Sequence, residues 1–171
     1  MLKEIFEVYW EKLFILLSLI GIGMKMIFSF VLKRKEINHS IFQKNKMETL
    51  IRFYNAYAEM KNVWRDIPAY PMFKNELSTD ELDNRIQPKY NKLEACIIEL
   101  QPYFKPNQYL DFKNILKNVT LLKSNLLKLY FEEVDLSTTL KVNEFNSDID
   151  LSEEANSKIL EKINRNIYKS Y

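Results

Sequence analysis

Few residues in this sequence have side chains and spacings suited to catalysis. Among 171 residues there is one histidine, His39, and one cysteine, Cys96. Nucleophilic catalysis needs a nucleophile, a base and a group that orients the base, and His39 is the only residue of the usual base type. The two glycines, Gly21 and Gly23, lie near the N-terminus, so the rest of the chain has no glycine-rich loop to hold a phosphate. We therefore predict that the protein is not an enzyme and uses no cofactor.

Metal binding and acid–base chemistry are the remaining alternatives. Glu36 and His39 have the three-residue spacing found in di-iron helical bundles, but such sites need two copies of that motif and further carboxylates. A homodimer could supply the second copy, yet both residues directly follow a basic run, so we predict no metal site. Two acidic clusters leave acid–base catalysis as a minor alternative: Glu132, Glu133 and Asp135, and Asp148 with Asp150. Adjacent acids at helix ends are usually solvated and inactive.

Lys25 is unusual because it lies inside a long apolar run. Residues 13–32 read LFILLSLIGIGMKMIFSFVL, and a helix needs about 20 apolar residues to cross a bilayer core. Thirteen of these residues are Leu, Ile, Phe or Val, which favour insertion by roughly 4 to 8 kcal/mol, whereas one central lysine opposes it by about 3 kcal/mol. The sequence therefore predicts a transmembrane helix at about residues 13–32.

Two other interpretations of this run are a buried core helix and a cleaved signal peptide. A charged residue such as Lys25 is compatible with a core helix. A signal peptide has a shorter apolar core, a basic start and a small-residue cleavage site. Here the preceding residues include Glu4, Glu7 and Glu11, and no such cleavage site follows. We expect an uncleaved anchor.

The basic residues around the run predict its orientation. Lys33, Arg34 and Lys35 follow it, and they outweigh Lys3 and Lys12 on the other side. Because the more basic side stays in the cytoplasm, we predict a single-pass protein with a cytoplasmic C-terminal domain. The predicted anchor comprises residues 1–35 and the domain residues 36–171. Five residues are predicted to anchor the chain or contact lipid: Trp10, Lys25, Lys33, Arg34 and Lys35.

Residues 36–171 contain no glycine, the residue that tight hairpins prefer, so we predict an all-α fold. Apolar residues recur at helical spacing in four segments. The first helix should cover 36–67 with a stripe through Leu50, Tyr54 and Tyr57, and should end at Pro68. A second should begin at Ser78, where Glu81 has capping-box spacing.

The remaining elements follow from proline positions and composition. Pro88 should kink or delay the second helix, and Pro106 suits the first turn of a third. The third helix has the clearest apolar stripe, which comprises Phe112, Ile115, Val119, Leu122, Leu126 and Leu129. Residues 135–150 are predicted to form an acidic loop, and Ser152 to cap a last helix. Short connections make neighbouring helices antiparallel, so we expect a cytosolic antiparallel bundle of about four helices.

These features indicate an interaction protein. The net charge of +2 and pI near 8.4 lack the strong basic character of a nucleic-acid-binding domain. Our first hypothesis is a single-pass membrane-anchored interaction or regulatory module on the cytoplasmic face, with the lipid bilayer and a protein partner or second copy as its contacts. The alternative is a membrane-perturbing effector of a bacterial toxin or phage-defence type that oligomerises through its membrane helix. Lys25 motivates this alternative, since intramembrane charges often face a partner or a pore.

Overall fold

The structure, a computed structural model, describes residues 2–131 and 137–168; it leaves out the side chains of residues 2–8, 11, 13, 19 and 168. The helices are α1 (Leu2–Asp66), α2 (Ala69–Phe73), α3 (Thr79–Leu100), α4 (Pro106–Phe131) and α5 (Thr138–Tyr168), with a 3₁₀ turn at Gln101–Tyr103. No strand occurs in the described ranges. The all-α class predicted from the sequence is confirmed.

The chain divides into two compact units, Met1–Asn45 and Lys46–Tyr171. We call the second the helical unit. Helix α1 extends without interruption from the first unit into the helical unit, because no proline or glycine occurs between Lys33 and Ile67. It ends at Asp66, two residues before Pro68, which disfavours helical geometry at the residue before it.

The buried stripe of α1 in the helical unit matches the predicted one only in part. Leu50 is buried as predicted. Phe53, Ala56 and Met60 are fully buried, whereas Tyr54 and Tyr57 are only half-buried, so the stripe lies about one residue away from the two tyrosines. Tyrosine explains the error, since its ring counts as apolar in a pattern but its hydroxyl favours the boundary with water.

Asn75 closes α2 in a conformation that usually requires glycine. Its φ is 60°, and its N–H donates to the Met72 carbonyl at 3.0 Å while the Glu76 N–H donates to the Pro71 carbonyl at 3.0 Å. This pair of bonds is the Schellman motif. Asparagine tolerates left-handed geometry better than other non-glycine residues, which is how a unit without glycine makes this turn.

Local signals placed the starts of α3 and α4 correctly. The Glu81 N–H donates to the Ser78 hydroxyl at 3.2 Å, and the Ser78 N–H donates to the Glu81 carboxylate at 3.0 Å, so the predicted capping box is confirmed. Pro88 lies inside α3 and does not delay its start. Pro106 is the first residue of α4, as predicted.

The predicted acidic loop at 135–150 is wrong from residue 138 onward. Helix α5 begins at Thr138, where the Leu140 N–H donates to the Ser137 carbonyl at 2.9 Å. Ser152 is therefore an interior helical residue and caps nothing. Phe145 and Ile149 are buried at 1% and 2% exposure, and they continue the helical apolar stripe of the later residues. Packing of this stripe overrides the weak helix propensity of the short polar residues around it.

Side chains from α1, α3, α4 and α5 share one core in the helical unit. Contacts between successive helices show their directions. Tyr90 on α3 bonds Thr120 on α4, while Gln87 accepts from Lys123, so these helices run antiparallel. Helices α4 and α5 are also antiparallel. The predicted α4 stripe is confirmed because all six of its residues are buried.

Replacing Phe145 with alanine tests the helical start of α5. Phe145 is 1% exposed, and its ring lies 6.2 Å from that of Phe73 in an edge-to-face arrangement. We expect Phe145→Ala to lower the free energy of unfolding by about 3–5 kcal/mol, as measured by urea unfolding followed by circular dichroism. The exposed neighbour Asn146, changed to alanine, should alter it by no more than about 0.5 kcal/mol. If both changes alter the free energy of unfolding equally, this segment is a solvated loop and not a packed helix.

Candidate membrane-contact segment

The candidate site is the apolar part of α1 in the first unit. By length and composition, α1 is the one helix among the described residues that could cross a membrane. Its large apolar side chains are exposed; examples are Phe14 at 65%, Met26 at 70% and Phe28 at 70%. None of the described side chains of this apolar stretch is buried. Contiguous apolar surface of this extent is typical of membrane or protein contact sites.

All five predicted lipid-contact residues lie on α1. Trp10 is 59% exposed, and Lys25, Lys33, Arg34 and Lys35 are also exposed. Trp10 and Lys33 are 23 residues apart (33 − 10), about 35 Å along a helix at 1.5 Å per residue. That distance slightly exceeds the roughly 30 Å of a bilayer core, so an aromatic residue and a basic cluster border the two ends of the apolar stretch.

The residues considered for catalysis have other surroundings. His39 is exposed on α1, and Cys96 is buried on α3, where burial raises the pKa of its thiol. Asp148 accepts from the Asn125 amide at 3.0 Å, and Asp150 pairs with Arg65 at 2.7 Å. Both aspartates thus make contacts between helices. The other acidic cluster, residues 132–135, lies outside the described residues.

Among the side chains that the structure describes, no three His, Cys, Asp or Glu converge as metal ligands would. The comparisons with known proteins add no functional assignment. No family model, curated protein or solved structure matches this chain.

A groove between α4 and α5 is a second surface feature, and sequence reasoning missed it. Its volume is about 210 Å³. Leu121 and Leu151 line it and are 59% and 62% exposed, and Asn118, Asn125 and Asp148 supply polar groups. The available signal was the position of Leu121 beside the buried stripe, but a single exposed leucine is ordinary. Only the pairing of α4 with α5 brings the two leucines to one groove.

Buried polar groups in the helical unit hold helices together. Asp111 is 5% exposed and accepts from the Lys162 ammonium at 2.7 Å. Asn156 is 2% exposed and accepts from the Asn118 amide at 2.8 Å. Burial raises the pKa of the nearby Tyr57 hydroxyl, although its hydrogen bond to Asn156 acts in the opposite direction. Each of these groups joins two helices, which is a structural role.

Glu59 has the most perturbed environment of the described carboxylates. It accepts from the ammonium groups of Lys89 at 2.8 Å and Lys92 at 2.6 Å. These hydrogen bonds lower the pKa of the Glu59 carboxyl from 4.5 to about 2. Glu59 lies on α1 and both lysines lie on α3, so the charges attach two helices to each other.

The Glu59 contact should make stability depend on pH in the acidic range. A carboxyl whose pKa is lowered by folding stabilises the fold fully above 4.5, and this contribution is lost as pH falls from 4.5 towards 2. We expect the stability difference between the native protein and Glu59→Gln to shrink across that range in urea unfolding. Glu144→Gln, at an exposed position on α5, is the matched control and should show no such change. A constant difference for Glu59→Gln would contradict the ion-pair assignment.

Proposed function

We propose that this chain is a single-pass membrane protein whose N-terminal helix holds a cytoplasmic bundle of about four helices at the membrane, where the bundle binds a protein partner. One observation carries the proposal: the exposed apolar stretch of α1 ends against Lys33, Arg34 and Lys35 on the same helix.

The hydrophobic effect supports the membrane as the environment of this stretch. Burying a side chain such as Phe or Ile removes about 1.5–3 kcal/mol of unfavourable contact with water. The exposed set includes Phe14, Ile20, Ile27, Phe28 and Phe30, so the total favours an apolar surrounding strongly. A helix of this length that is apolar nearly all round is typical of membrane spans.

The basic border supports a cytoplasmic location for the helical unit. Lys and Arg next to a membrane helix retain that side in the cytoplasm. The same groups attract anionic lipid headgroups by about 1 kcal/mol each. Lys33, Arg34 and Lys35 are exposed, and the adjacent Glu36 is the only acid in the sequence between Glu11 and Glu48.

The helical unit favours interaction over catalysis. Its most perturbed carboxyl, Glu59, is committed to two lysines, and Asp150 and Glu153 are committed to Arg65. The α4–α5 groove instead presents two exposed leucines, Leu121 and Leu151, while its polar side chains already bond between helices. Exposed apolar side chains that line a groove are typical of protein-binding surfaces.

A membrane-perturbing effector is the second candidate, and Lys25 favours it. A charge within a membrane span faces a partner, a pore or the interface. The effector hypothesis requires copies of this chain to associate through the membrane helix, whereas the interaction module requires only anchoring.

The anchoring prediction concerns the full chain. We expect it to remain in the membrane fraction after alkaline carbonate extraction. Ile20→Glu combined with Ile27→Glu should release it, because each central acid is costly in the bilayer. The matched control places the same change at exposed isoleucines of the helical unit, Ile51 and Ile98, and should leave the protein membrane-bound. Release of the unsubstituted chain by carbonate would refute the anchor.

The orientation prediction uses a reporter fused after Tyr171. It should report a cytoplasmic C-terminus, and changing Lys33, Arg34 and Lys35 to glutamine should reduce or invert this preference, because these charges determine orientation.

A control for charge alone changes three exposed lysines of the helical unit to glutamine: Lys74, Lys113 and Lys117. They lie more than about 20 residues from the span, beyond the range of the orientation rule. Orientation should not change. If both triple variants have the same orientation, Lys33, Arg34 and Lys35 do not determine the orientation of the protein.

A further inference from the structure

The polar residues of the apolar stretch lie on one face of α1. Ser18, Lys25 and Ser29 are the only polar side chains in residues 13–32. At about 100° per residue they fall within an arc of about 40°. Gly21 lies on the same side, at steps of three and four residues from Ser18 and Lys25. We call these four residues the polar face.

Lys25 has no acidic residue within reach on its own helix. The nearest acids in the sequence are Glu11 and Glu36. They are 14 and 11 residues away (25 − 11 and 36 − 25), which corresponds to about 21 and 16 Å of helix. Both distances exceed the length of a lysine side chain. A carboxylate that neutralises Lys25 inside a bilayer must therefore come from another chain.

The direction of the Lys25 side chain disfavours escape to the nearer surface. Side chains on an α-helix lean toward its N-terminus. The nearer border of the apolar run, however, is at Leu32, about 10 Å in the C-terminal direction. The midpoint of the run lies between Ile22 and Gly23, so the Cα–Cβ bond of Lys25 is directed toward the centre of the run.

Gly21 lets another helix approach the polar face closely, because it has no side chain. A side chain on a helix covers the turn N-terminal to its own Cα, and for Lys25 that turn contains Gly21. A Cβ added at Gly21 or at Gly23 would meet nothing within 4 Å, so packing within the chain requires neither glycine. The Ser18 hydroxyl already donates to the Phe14 carbonyl at 2.8 Å, so it is satisfied in an apolar surrounding and can still accept a hydrogen bond.

We infer that the polar face binds the transmembrane helix of another protein, and that this helix carries a carboxylate near the middle of the bilayer. The inference rests on the proposed membrane anchor. Charge complementarity selects this partner, because an acid is what Lys25 lacks. A second copy of the chain is the poorer occupant of a closely packed contact, because two copies with the same topology pack in parallel and place Lys25 against Lys25. Only a water-filled pore, as the effector would form, tolerates that arrangement.

The experiment uses the full chain in lipid vesicles, with a donor fluorophore at its C-terminus. The probe is a synthetic leucine-rich transmembrane peptide with one central Asp and an acceptor fluorophore, compared with the same peptide carrying Leu at that position. Energy transfer should show binding of the Asp peptide about tenfold tighter than the Leu peptide. Lys25→Leu should abolish the preference. Equal binding of both peptides to the unsubstituted chain overturns the inference.

Two glycine variants separate the polar face from the rest of the helix. Gly21→Leu fills the polar face and should weaken Asp-peptide binding, whereas Gly23→Leu, two residues along on another side of the helix, should not. Both positions are open in the isolated chain, so neither change strains the helix itself. Equal losses in both variants overturn the inference.

Two further measurements distinguish a second copy of the chain from another protein as the partner, and test the membrane anchor separately. Energy transfer between differently labelled copies of the chain that depends on Gly21 would make a second copy the occupant, which overturns the inference and favours the effector. Carbonate extraction of the same variants tests the anchor independently. A chain that stays membrane-bound but shows no Asp preference contradicts only the inference, whereas a chain released by carbonate contradicts the proposed function.

Discussion

The contact between Phe53 and Phe112 holds α1 against α4 in the core of the helical unit. Both rings are fully buried, with centroids 5.0 Å apart and an interplanar angle of 88°. Phe104 extends the cluster, with its ring 4.9 Å from that of Phe112. Edge-to-face pairs add about 0.5–1.5 kcal/mol to the energy of burial. This contact joins α1 to α4, and buried side chains of α3 and α5 belong to the same core.

Charged contacts around this core favour one register of the packed helices and add little stability. Arg65 on α1 bonds Asp150 and Glu153 on α5, at 2.7 and 2.9 Å. Exposed ion pairs contribute about 0–1 kcal/mol each, but opposite charges suit only one alignment of two helices. Glu59 on α1 likewise pairs with Lys89 and Lys92 on α3. The apolar stripes determine that the helices pack, and the charges favour one register.

Local sequence signals predicted much of the fold. The α4 stripe, the Ser78 capping box and the first-turn Pro106 each depend on residues within a few positions of one another, and all three are found in the structure. The start of α5 is the main error: the polar composition of 135–150 predicts a loop, whereas Phe145 and Ile149 have helical spacing and are buried in a helix. A helix end decided by packing against other helices is not visible in local composition.

The candidate sites differ in how far they were predictable. The apolar run and its basic border are contiguous in sequence, so they could be identified directly. The α4–α5 groove joins Leu121 to Leu151, and that requires knowing which helices pair. The polar face can be identified from the helical spacing of its residues alone. Lys25 by itself is compatible with contact to either a partner helix or a lipid headgroup, and Gly21 on the same side favours the partner helix.

Helix α1 uses one backbone geometry for two kinds of surface. In the helical unit it has a buried stripe through Phe53, Ala56 and Met60 and a charged opposite side, the pattern of a helix between water and a protein core. From Phe14 to Leu32 the pattern is inverted: nearly every side is apolar and exposed, and the polar residues are confined to a narrow face. In water, exposing so many large apolar side chains would be strongly unfavourable. In a bilayer the broad apolar sides need no partner, and only the narrow face around Lys25 does. The inverted pattern therefore supports both the anchor and a specific neighbour for it.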